Sequence, residues 1–144
     1  GNFFVLWENL VHSKIPVYVL NFVSCMVVIL LSFLFFRKTP DSAFELKIML
    51  LGFTLYMIAE MFNPVHRHQY NTVQWFPIVL AGLLLYKDRI TMGFILLLAG
   101  LLLNISNTQL IPMRHTFGEI CWIAALLILV FSPVEKLPIW KLQS

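Results

Sequence analysis

Five long apolar runs separated by short polar stretches set the plan of this chain, and a ten-residue amphipathic segment precedes them. In that segment, residues 3–12, Phe3, Leu6, Trp7, Leu10 and Val11 recur at helical spacing, while Glu8, Asn9 and His12 fall off the stripe. Ten residues are too few to cross about 30 Å of hydrocarbon. The pattern therefore predicts a short helix lying in a membrane interface, with Trp7 at headgroup depth.

After Pro16, residues 17–36 carry no charge and end at Arg37-Lys38, which predicts a first transmembrane helix. Asn21 and Ser24 near its start are suited to bond a neighbouring helix. A second span is expected at about 44–63. Ser42 and Glu45 have the spacing of a capping box at its start, and Asn63-Pro64 ends it. A third run at about 72–86 places Pro77 in the first turn, where proline is tolerated, and Trp75 near the interface. Lys87-Asp88-Arg89 separates it from a fourth, at about 90–105. The hexamer LAGLLL occurs in both, at 80–85 and 98–103, and its Ala-Gly pairs suit close approach of helix backbones. A fifth span at about 116–132 opens on a second capping-box spacing, Thr116 and Glu119, and ends at Pro133. The tail, 133–144, carries Trp140 and is expected to lie along the cytoplasmic interface.

Composition strengthens this picture. Of 144 residues 60% are hydrophobic and 12% charged, with a mean hydropathy of +0.85. A soluble domain has about 25% charged residues. The runs are continuous rather than alternating, which excludes a β-barrel. The expected fold is all-α: a polytopic integral membrane bundle of five transmembrane helices and one interfacial helix, forming a single domain over 1–144. No charged leader or small-residue cleavage site opens the chain, so no secretory signal peptide is expected. Cys25 and Cys121 sit in apolar runs without a CxxC spacing and read as small buried hydrophobes.

With five crossings, Arg37, Lys38, Lys47, Lys87, Arg89, Lys136 and Lys141 share one side, and Lys14, Arg67 and Arg114 the other. The positive-inside rule makes the first side cytoplasmic, in a plasma or inner membrane, with the N-terminus out and the C-terminus in. All four histidines, His12, His66, His68 and His115, then face the outer side. Glu60 and Glu119 lie about one turn deep from it.

Candidate chemistry concentrates there. Glu60 sits inside an apolar run, where an ionisable side chain is a functional candidate; the structural alternative is snorkelling or pairing with an arginine. His66, His68, His115 and Glu60 are the acid/base candidates. Arg67, Arg114, Asn63, Asn104, Asn107 and Glu119 are the candidates for holding a ligand or lipid headgroup. His115 and Glu119 are four residues apart and share a helix face if the helix includes His115. Zinc ligation by His66, His68 and His115 with a glutamate is chemically sensible, but no metal-motif spacing supports it, so no cofactor is expected. A net charge of +3, dispersed along the chain, does not suggest nucleic acid.

Three function classes fit. The favoured one is a non-enzymatic accessory, assembly or ligand-sensing component that works with partner membrane proteins or as a homo-oligomer, among membrane lipids. The second is a hydrolase or transferase acting on a lipid or lipid-linked substrate at the outer leaflet. The third is an oligomeric proton- or cation-coupled transporter using Glu60.

Overall fold

A computed structural model describes residues 3–37, 44–63, 69–86, 91–106 and 113–132. Six α-helices and no strand occur among them: α1 (Phe3–Val11), α2 (Val17–Phe36), α3 (Phe44–Phe62), α4 (Phe76–Tyr86), α5 (Met92–Ile105) and α6 (Arg114–Phe131). A 3-10 segment, Gln69–Trp75, leads directly into α4. Each apolar run forms a helix, as uninterrupted Leu, Ile, Phe and Met sequences favour, and helices stop at polar or proline-flanked positions.

The helices alternate in direction. At one end of the α2–α3 pair, Phe35 stacks on Phe44 with ring centroids 5.6 Å apart. At the other, Val17, Asn21 and Ser24 share a groove with Ala59, Phe62 and Asn63. The Lys47 ammonium donates to the Ser132 carbonyl at 2.7 Å, which joins the start of α3 to the end of α6. The Asn104–His115 contact joins the end of α5 to the start of α6. Phe76 meets Trp122 edge-on at 5.8 Å, and Thr72 reaches Glu119, so α4 runs alongside α6 in the same sense.

The core centres on α6, which packs on α3, α4 and α5. Trp122, Ala125, Leu126, Leu129 and Val130 recur every three or four residues and are buried, meeting Leu50, Met57, Val79 and Leu97 of its neighbours. Small residues permit the tightest approach. A Cβ on Gly100 would lie 2.6 Å from the Gly118 carbonyl oxygen and 2.5 Å from the Trp122 ring. A Cβ on Gly82 would touch Leu97 at 3.0 Å. Both glycines belong to the Ala-Gly pairs of the repeated hexamer, and both bring helices together as expected.

Large apolar side chains are also exposed on the exterior. On α2 only Leu20 and Phe35 are buried, and Tyr18, Phe22, Ile29, Phe33 and Phe36 are each at least 60% exposed. Two helices, α2 and α6, are long and apolar enough to cross a membrane.

Candidate functional site

The polar side chains gather at the end of the bundle formed by the start of α6, the end of α5, the 3-10 segment and α1. Arg114 and His115 both lie inside α6, which begins two residues before Thr116. The capping box expected from Thr116 and Glu119 is therefore not formed. Met113 is the N-cap residue, with φ of 57°, and makes no side-chain cap bond. Its carbonyl accepts from the Thr116 and Phe117 amides, while the Thr116 hydroxyl is buried without a hydrogen-bond partner among the described residues.

Glu119 is instead a cross-bundle acceptor. It is 2% exposed, and its Oε1 accepts from the Thr72 hydroxyl at 3.1 Å. The bond pins the 3-10 segment to α6 and supplies a donor to a carboxylate that burial would otherwise destabilise.

His115 faces a different partner. Asn104 Nδ2 donates to the Gly100 carbonyl at 2.9 Å, one turn back along α5. That bond orients the carboxamide so that its oxygen meets His115 Nδ1 at 3.2 Å. In a neutral ring the proton is then on Nδ1, and Nε2 carries the lone pair. Nε2 is buried and has no hydrogen-bond partner among the described residues. His115 and Glu119 thus share a helix, as the spacing suggested, yet each is committed to a separate contact.

Other candidates are more dispersed. Glu60 is half-buried on the last turn of α3, and its carbonyl accepts from the Asn63 amide at 3.2 Å. Asn63 is half-buried on the rim of the α2–α3 groove, which encloses about 610 Å³. His12 is exposed at the end of α1, where φ of 53° turns the chain toward α2. Asn9 donates to the Met113 sulfur at 3.4 Å, bringing α1 to the start of α6. His66, Arg67, His68 and Asn107 lie outside the described residues, as does Ser42 of the first capping box. Among the described residues no group of three His, Cys, Asp or Glu side chains is placed to hold a metal. Cys121 is half-buried, but Cys25 is exposed on α2 rather than buried as its setting suggested, and both thiols are free.

Sequence reasoning missed two residues. Thr72 gave no signal, because its role exists only through α6. Lys47 was counted as an ordinary topology marker, yet it is 6% exposed and its ammonium bonds the last turn of α6, where a cation complements the helix dipole. Its position on a face with Leu50, Leu51 and Thr54, all buried, was the available clue.

Comparison of the chain with protein families, curated proteins and solved structures gives no match.

Proposed function

We propose that the chain is a five-span integral membrane protein, N-terminus out and C-terminus in, that acts as an accessory, assembly or ligand-sensing component for partner membrane proteins. The observation that carries this reading is the outer surface of α2, where large apolar side chains are exposed along the whole helix. Water would oppose such a surface, whereas lipid or another helix accepts it. The third crossing is a composite rod and the fourth is shorter. The rod from Gln69 to Tyr86, seven 3-10 residues and eleven α-helical ones, is about 30 Å long. The 14 residues of α5 reach about 21 Å.

The alternation of helix direction supports an odd number of crossings, with His12 and His115 at one end and Lys47 at the other. A component without turnover fits the polar cluster, in which Thr72 bonds Glu119 and Asn104 meets His115. Cysteine labelling in sealed vesicles tests the topology. On a Cys25→Ser/Cys121→Ser background, Ser13→Cys and Ser106→Cys should react with an impermeant maleimide from outside, and Ser132→Cys only after permeabilisation. Labelling of residues 13 and 106 from opposite compartments sinks the five-span arrangement.

A lipid-directed hydrolase or transferase is the second reading. One observation favours it: Nε2 of His115 keeps its lone pair without a hydrogen-bond partner among the described residues. Alanine at His66, His68, His115 and Glu60 separates the two. An accessory component loses association with its partner, whereas an enzyme loses turnover while assembly persists. For the third reading, a transporter, ion flux in proteoliposomes would vanish with Glu60→Gln.

A further inference from the structure

We propose that α2 is the interface of a parallel homodimer, in which Asn21 bonds Asn21 of a second copy and Cys25 lies against its own counterpart one turn deeper. The inference rests on the membrane reading above, since the bilayer gives every copy the same orientation and depth.

The first observation is the Asn21 side chain. It is exposed, on the second turn of a helix whose sequence is otherwise fit to cross a bilayer. It makes no hydrogen bond, ion pair or other polar contact among the described residues. In hydrocarbon such a carboxamide is costly, and an asparagine there bonds across to another helix. Among the described residues α3 is the one helix packed extensively on α2, and it leaves the amide without a partner.

The second observation is the shape of the surface around it. Asn21, Ser24, Cys25, Val28 and Ser32 recur every three or four residues, forming one narrow face of small side chains. On one side of this face lie the residues turned to α3, Leu20, Val27, Leu31 and Phe35. On the other lie the bulky, exposed Phe22, Ile29 and Phe33. Beside the small face runs the groove of about 610 Å³, into which Asn21, Ser24 and Cys25 open together with Ala59 and Asn63. Val17 and Phe62 line the groove as well, so the close approach is confined to the small face itself.

The occupant follows from complementarity. A carboxamide is donor and acceptor at once, so two copies at equal depth satisfy each other by exchanging N–H···O bonds. A two-fold axis along the membrane normal brings the same patch of both chains together. It also aligns the small faces, so that the helix backbones approach closely and Cys25 meets Cys25.

The test uses the full chain with Cys121→Ser, reconstituted in phosphatidylcholine–phosphatidylglycerol vesicles at low protein-to-lipid ratio and treated with copper phenanthroline. Cys25 should give a disulfide-linked dimer. A cysteine on the far side of the helix, Leu30→Cys combined with Cys25→Ser, should not, since Leu30 is exposed away from the small face. In a fluorescence energy-transfer dilution series, Asn21→Leu should weaken association by roughly 3- to 30-fold for each interhelical hydrogen bond lost. Asn21→Gln, which keeps the amide, should retain most of it. Equal cross-linking at positions 25 and 30, or a monomer at all dilutions, overturns the dimer. Correct maleimide topology with no Cys25 cross-link overturns the dimer alone, whereas failure of the chain to insert overturns the membrane reading with it.

Discussion

Thr72 and Glu119 form a sheltered contact between side chains of distant segments, a hydroxyl-to-carboxylate bond with both residues buried. Removing the donor while keeping the shape isolates its worth. Thr72→Val should destabilise the protein by about 1–3 kcal/mol, the usual consequence of depriving a buried acceptor, read as a lower midpoint of unfolding in mixed micelles of rising dodecyl sulfate content. An unchanged midpoint would mean that other groups already satisfy the carboxylate. At this scale the sequence was least informative. It singled out Glu119, His115 and Asn104 as polar residues near one end of apolar runs. It assigned Glu119 to a local capping box, because spacing within one segment is visible in a sequence and a contact across 47 residues is not. Lys47 misled for the same reason: a lysine near a loop reads as a surface charge until the helix end that it bonds is placed beside it.

Between elements, the side-chain-free positions decide how closely helices pack, and two glycines should respond in opposite directions. At Gly100 a methyl group would collide with the Gly118 carbonyl and the Trp122 ring. Neither has room to retreat in the core, so Gly100→Ala should cost about 1–3 kcal/mol. At Gly52 a methyl group meets nothing within 4 Å, so Gly52→Ala should stabilise α3 by about 0.5–1 kcal/mol through backbone entropy alone. Both are read from the same unfolding series. A destabilised Gly52→Ala or an indifferent Gly100→Ala would contradict the packing. Helices were the most legible feature, since uninterrupted apolar runs with polar punctuation leave few alternatives. Their N-termini were less so. The start of α6 is set by the left-handed turn at Met113, a backbone choice that no side chain announced.

For the whole molecule, the uneven helix lengths have a consequence in lipid. α2, with 20 residues, is about 30 Å long, but α5 reaches only about 21 Å. In the proposed five-span arrangement both cross, and such a bundle would match a thin bilayer best, with α2 tilted. Thermal stability in vesicles should therefore peak with monounsaturated chains of roughly 14–16 carbons and fall in much thicker bilayers. A steady rise with thickness would show that the shorter helices do not span.

The central place of α6 also bears on biosynthesis. It follows the other five described helices in the chain, yet it is the one on which α3, α4 and α5 all pack. Until α6 is made, the Gly100 seam lacks the helix that fills it and Lys47 lacks the carbonyl that it bonds. The contacts of three earlier helices thus wait on one later stretch of chain.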